Sequence, residues 1–182
     1  MARTGFHFLH GRLQAKFSIG PHPKTDFFVR KCGREEWTKF SRYHYLNHDL
    51  NHVCKCYGLF DNQEKIVGFC AVMPFPHPKV HNIRRCSRLV ILPDYQGIGL
   101  GVKFLTAVAE LYKKEGYDFR IVTTLKNFSK SLVKSGKFLL KDCSIKKPDL
   151  QTILNKRISS VCRKVKTCSF KFVGGVNGKS KI

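Results

Sequence analysis

Leu89-Val90-Ile91-Leu92-Pro93-Asp94-Tyr95-Gln96-Gly97-Ile98-Gly99-Leu100-Gly101 is the stretch whose reading decides the fold. Its first four residues are a branched apolar run of the kind found in a buried strand. Pro93 ends that strand, because proline brings no N–H to the ladder. Gly97, Gly99 and Gly101 follow at alternate positions and let the backbone turn sharply, with no Cβ atoms to hold a ligand away. From Val102 the pattern becomes helical: Val102, Leu105, Ala109 and Tyr112 fall at i, i+3, i+7 and i+10 on one stripe. A strand, a glycine turn and a helix start leave unpaired N–H groups at the positive end of a helix dipole, which suits a pyrophosphate.

Of the phosphate-binding signatures, the dinucleotide fingerprint requires G-x-G-x-x-G and an acid closing the next strand. Here the spacing is G-x-G-x-G, and the strand Phe119–Thr124 ends without an acid. Gly174-Gly175-Val176-Asn177-Gly178-Lys179-Ser180 approaches a Walker A loop, but Val173 stands at its first glycine and the segment reads as a tail. Gln96-Gly97-Ile98-Gly99-Leu100-Gly101, preceded by an apolar strand and a proline, resembles the Q/R-x-x-G-x-G/A signature of the GNAT N-acyltransferases. The resemblance implies an α/β (α+β) fold, with a mixed central sheet flanked by helices, and acetyl-CoA as donor. It also implies that the amides of Gly97, Ile98, Gly99, Leu100, Gly101 and Val102 hold the pyrophosphate. Gln96 belongs to the same cofactor-binding signature, backbone groups of Val90 and Ile91 would align the thioester, and Asn127 matches a cofactor-helix asparagine.

Outward from the loop, the order of elements fits the same family. Phe27-Phe28-Val29-Arg30 is the first strand of the domain. Glu35-Glu36 open a helix whose Trp37, Phe40 and Tyr43 or His44 share a face, and Leu46, Leu50 and Val53 suggest a second, phase-shifted helix. Cys54–Asp61 and Ile66–Val72 alternate as strands around the turn Asp61-Asn62-Gln63-Glu64, and the prolines of Pro74-Phe75-Pro76-His77-Pro78 enforce a stiff loop. Ile83–Leu92 is the strand leading into the glycine loop. Beyond the long helix come the strand Phe119–Thr124, a short helix Asn127–Ser135 closed by Gly136, and the strands Phe138–Leu140 and Thr167–Val173. The expected organisation is a basic arm or short packed extension over 1–26, a GNAT domain over 27–173 and a basic tail over 174–182.

The bulk composition adds a partner. The 182 residues carry a formal charge of +22, an excess that strains a compact state by self-repulsion and commonly answers to an anion. CoA is too small to account for it, whereas nucleic-acid phosphates are natural recipients; a solvated lysine surface is the plainer explanation. No run approaches the ~20 apolar residues of a membrane helix. The start, Met1 to His10, has too short an apolar core for a secretory signal, so a cytoplasmic location is expected, with no membrane partner. None of the eight cysteines forms a C-x-x-C pair, and reduced thiols rather than a disulfide framework are expected.

Acyl transfer to an amine needs a held thioester, a donor to its developing oxyanion, a neutral amine and a proton for the leaving thiolate. A lysine of pKa about 10.4 is only about one part in a few thousand neutral at pH 7, whereas an exocyclic base amine is neutral but weakly nucleophilic. Many GNAT proteins carry a tyrosine acid four residues before the glycine that closes the penultimate helix; Leu132 stands there. No carboxylate lies on Ile83–Leu92, leaving His44, Tyr45, His77, His81, Ser87 and Arg88 as candidates. His44-Tyr45, together with Ser87-Arg88-Leu89-Val90, resembles the Mom-like branch of phage enzymes that modify DNA adenine, which implies a phage or mobile-element setting. The Tyr43-His44-Tyr45-Leu46, Phe75-Pro76-His77-Pro78 and Pro93–Gly97 blocks resemble the acetyltransferase domain fused to certain ABC-type ATPases. His44, His48 and His52 at i, i+4 and i+8 would suit a metal only on an unbroken helix, and no metal site is expected. The expected activity is N-acyl transfer from acetyl-CoA to nucleic acid (DNA or RNA) or a nucleic-acid-associated protein. The alternatives are a protein-lysine acetyltransferase with an anionic protein partner, or a non-catalytic nucleic-acid-binding module with a vestigial CoA site.

Overall fold

The computed structural model describes residues 5–9, 12–19, 25–44, 49–146 and 165–174. The chain forms two compact units, 1–120 and 121–182.

In the first unit, β1 (Gly5–Leu9), β2 (Arg12–Ile19), β3 (Thr25–Lys31), β4 (Lys55–Phe60), β5 (Ile66–Pro74) and β6 (Ile83–Ile91) form an antiparallel meander. β1 and β2 fall in the stretch expected as an arm or extension, and β2 pairs with β3 in a register that sets Phe17 opposite Phe27. β5 is buried from Val67 to Val72, as a strand covered on both faces must be. On one face lie α1 (Trp37–Phe40) and a core of Trp37, Phe40, Cys54, Cys56, Phe69, Ala71 and Val90. Burying each large side chain there contributes roughly 1.5–3 kcal/mol. The opposite face meets α2 (Leu100–Lys114), where the Tyr57 hydroxyl donates to the Tyr112 hydroxyl at 3.0 Å. Strand β7 (Asp118–Thr123) begins in this unit and ends in the next.

The second helix expected from Leu46, Leu50 and Val53 does not form over 49–53, and its first residues lie outside the described ones. The carbonyls there are engaged from outside: Arg88 Nη2 donates to Asp49 at 2.9 Å, and Arg34 donates to Leu50 at 2.8 Å and Asn51 at 2.7 Å. The Asn51 side chain also accepts the Val53 N–H at 3.0 Å, a local bond that competes with helix.

In the second unit, α3 (Lys126–Lys134) closes at Gly136, as expected. β8 (Phe138–Lys146) and β9 (Val165–Phe172) pair antiparallel, with the Phe138 and Phe172 rings 5.1 Å apart. Cys143 and Cys168 are register partners 4.2 Å apart at Cα and are disulfide-bonded. This corrects the expectation of reduced thiols for that pair. The cause is the register, which puts the two Cβ atoms opposite each other in a closely spaced cross-strand position. Cys32, Cys54, Cys56, Cys70 and Cys86 are free, four of them buried as small hydrophobes.

Candidate active site

Strand β6 ends by handing its last residues to the glycine loop. Leu92 N–H donates to Val67 at 2.9 Å, completing the β5 ladder, and Pro93–Tyr95 then make a single 3₁₀ turn. Ladder alternation therefore directs the Val90 N–H toward β5 and the Ile91 N–H away from it. The Ile91 carbonyl accepts Gln96 Nε2 at 2.7 Å, so the Gln96 side chain staples the loop to the strand end.

Gly97 and Gly99 follow with φ of 83° and 78°, a left-handed geometry that side chains resist, and a Cβ at either would meet no atom within 4 Å. The first bond of α2 runs from Lys103 N–H to Gly99 at 3.3 Å, and no side chain caps this end. The amides of Leu100, Gly101 and Val102 thus have no carbonyl behind them in the helix. Open space above exposed amides at the positive end of a helix is the shape and charge a diphosphate needs. Leu100 itself is in the core, so its contribution there is its backbone, whereas the Ile98 side chain is exposed and Val102 half-buried.

The loop is braced from behind. The Tyr95 hydroxyl donates to Asp61 Oδ2 at 3.2 Å, while Asp61 Oδ1 accepts the amides of Gln63 at 2.9 Å and Lys65 at 3.0 Å. Phe27 meets the Tyr95 ring edge-on at 6.3 Å. Burial and the facing Asp61 carboxylate raise the Tyr95 phenol above its ordinary value, keeping it a donor. The sequence reading missed Asp61 because a hairpin-turn aspartate is ordinarily exposed; here it is buried.

The other expected site residues are distributed as follows. A register shift between Ala71 and Val72 leaves Ser87 as the extra residue of β6, with its hydroxyl beside the buried Cys54 thiol. Arg88 Nη1 donates to the Ser87 carbonyl at 2.9 Å, so its guanidinium bridges β6 to the 49–51 loop. His44 follows a 3₁₀ turn in extended conformation, its ring edge-on to Trp37 at 5.6 Å; Tyr45 lies outside the described residues. With His44 extended and 49–53 non-helical, His44 and His52 do not share a helix face, and His48 lies outside the described residues. Among the described residues no group of three or more His, Cys, Asp or Glu is placed to hold a metal. His77 accepts the Lys79 amide within its own loop at 3.2 Å, and His81 is exposed. In the second unit Asn127 is exposed in the first turn of α3, its carbonyl accepting the Ser131 hydroxyl at 3.1 Å. Leu132, at the position where many GNAT proteins are expected to carry a tyrosine, is fully buried.

A strand that ends in a braced glycine loop and opens a helix whose first amides lack helical partners is a fit for a bound diphosphate. The profile of the acetyltransferase (GNAT) family matches residues 22–132, and the chain belongs to that family. It is a GNAT-type N-acetyltransferase that uses acetyl-CoA, with the mixed α/β architecture of that fold. Among solved structures, a GNAT acetyltransferase from Streptococcus pneumoniae is similar at 13% identity and a TM-score of 0.56, covering 82% of this chain and 99% of that one. A Bacillus subtilis acetyltransferase in complex with CoA has 12% identity and a TM-score of 0.60, covering 79% and 96%. The ribosomal-protein-S18-alanine N-acetyltransferase from Escherichia coli has 12% identity and a TM-score of 0.57, covering 85% and 99%. No curated protein matches in sequence. Among the described residues no helix is long and apolar enough to cross a membrane.

Proposed function

We propose that the acceptor is an amine carried by nucleic acid or by a protein bound to it. The observation that carries this reading is the charge of +22, far beyond what one cofactor diphosphate can engage. A polyamine acceptor such as spermidine is itself a polycation and would be repelled by such a chain. Both the acceptor and acetyl-CoA are intracellular, so the reading implies a cytoplasmic reaction.

Acetyl-CoA supplies an acetyl group already activated as a thioester. The amides of Gly97 to Val102 would hold its diphosphate, and the Gln96 staple would keep the Ile91 carbonyl and the loop in one geometry. The Ile91 N–H, pointing away from β5, is the donor we assign to the developing oxyanion, where a pre-aimed N–H favours charge without reorganising. Val90 would position that donor through its own ladder bonds. Ser87, Arg88, His44 and Tyr45 border the acceptor side in this reading: Arg88 holds the 49–51 loop, and His44 follows the 3₁₀ turn beyond α1. Asn127 would add a cofactor contact.

The test supplies isotopically labelled acetyl-CoA together with duplex DNA, tRNA or a host protein extract, followed by mass spectrometry of nucleosides and peptides. Label in nucleosides, or in lysines of nucleic-acid-bound proteins, supports the reading. Label confined to lysines of acidic, nucleic-acid-free proteins favours the protein-acetyltransferase alternative.

A further inference from the structure

Helix α3 carries Lys126, Lys130 and Lys134 at i, i+4 and i+8, so they share one face, and all three are exposed. With a rise of 1.5 Å per residue, their Cα atoms are spaced ~6 Å apart along the axis and span ~12 Å. The neighbouring positions Asn127 and Ser131 are also exposed and polar. The ion pairs among the described residues, Arg30–Glu64, Lys39–Glu36 and Arg120–Asp118, include none of these lysines. Asp142 is the only acid among the described residues of this unit, while Lys137, Lys141, Lys146, Lys166 and Lys171 add to its positive charge.

A row of ammonium groups at helical spacing is costly on its own, since like charges at i, i+4 destabilise a helix. A linear polyanion reverses that sign. One nucleic-acid strand presents a phosphate about every 3.4 Å along its axis, so a row ~12 Å long spans about four of them. We infer that the Lys126–Lys130–Lys134 face of α3 docks the phosphate backbone of the nucleic acid that carries the acceptor. This inference rests on the proposed acceptor reading and deepens it, by assigning the docking surface to one helix face rather than to the charge of the whole chain.

The experiment compares the full chain with the triple variant Lys126→Gln, Lys130→Gln, Lys134→Gln. A control carries Lys31→Gln, Lys55→Gln and Lys79→Gln, three exposed lysines of the first unit. Both variants lose the same charge, and glutamine is close to lysine in helix propensity. Binding to a fluorescein-labelled DNA duplex is followed by anisotropy from 50 to 200 mM salt without acetyl-CoA, and acetyl-CoA uptake is measured separately by calorimetry. Each phosphate contact contributes about 0.9 to the slope of log affinity against log salt on B-DNA. The α3 variant should therefore lose about 2.7 from that slope and weaken at least ~10-fold at the lowest salt, with acetyl-CoA uptake unchanged and the control close to the parent. Equal slopes for the two variants would overturn the inference, leaving net charge as the cause. So would an α3 variant whose only loss is in acetyl-CoA uptake, or parent protein that binds polyglutamate as tightly as DNA. Failure of the parent to transfer acetyl to any nucleic-acid-borne amine, with the slope loss intact, would count against the acceptor reading alone.

Discussion

At Gly99 the backbone has φ of 78°, with open space above it. Gly99→Asp would cost about 1–2 kcal/mol of backbone strain and set a negative side chain over amides that otherwise face an anion. Calorimetry should show acetyl-CoA affinity reduced at least ~10-fold, about 1.4 kcal/mol or more, with the fold retained by circular dichroism. Asp61 acts one step behind. Asp61→Ala leaves two amides and the Tyr95 hydroxyl without their acceptor; these donors are only partly buried, so each loss costs about 1 kcal/mol, the low end of the range for a stranded donor. The expected result is a lowered Tm and a raised KM for acetyl-CoA, with Tyr95→Phe giving a smaller change in the same direction. The glycines were legible from sequence because their identity states the backbone geometry they permit. Asp61 was not, because its burial depends on a tyrosine 34 residues along the chain.

At the level of strands and helices, the Tyr57–Tyr112 bond ties β4 to α2 through two buried hydroxyls. Either Tyr→Phe change alone strands a hydroxyl and should cost about 1–3 kcal/mol in denaturant unfolding, whereas the double change should cost less than the sum of the singles. Gly68 tests the proposed role of the β6 end: a Cβ there would lie 2.7 Å from Ile91 Cδ1 and 3.3 Å from the Val90 carbonyl. Gly68→Ala should therefore push on the strand end that carries the Ile91 N–H and lower kcat more than it raises the KM for acetyl-CoA. From β3 onward the order of strands and most boundaries followed from alternation and glycine or proline punctuation, whereas β1 and β2 were not legible as strands. The expected second helix does not form over 49–53, because apolar spacing cannot see Arg34 and Arg88, which reach carbonyls there from other parts of the chain.

Taken as a whole, the molecule stores protonated groups in its core. Burial, helped by neighbouring thiols, pushes Cys32 up to about 12 and Cys56 to about 11, from an ordinary 9.0. Burial likewise pushes Tyr57 to about 12 from 10.0. Folding favours the protonated form of each. Their contribution is thus fully present below about pH 9 and lost as pH rises through 11 to 12. Unfolding midpoints measured in about 1 M salt, where the Debye length is about 3 Å and lysine repulsion is screened, should fall steadily above pH 9. A flat profile to pH 11 would show that these groups do not govern alkaline stability.

β6 bears no carboxylate, and this has a kinetic signature. If none of the groups proposed to border the acceptor takes its proton, the acceptor reacts in proportion to the fraction of it that solvent has already deprotonated. Across a series of test amines at fixed pH, turnover would then climb as acceptor basicity falls toward the working pH. It would decline again once the weakest bases become too poor as nucleophiles. A peaked plot of that kind points toward feebly basic amines as the compounds this scaffold acetylates best.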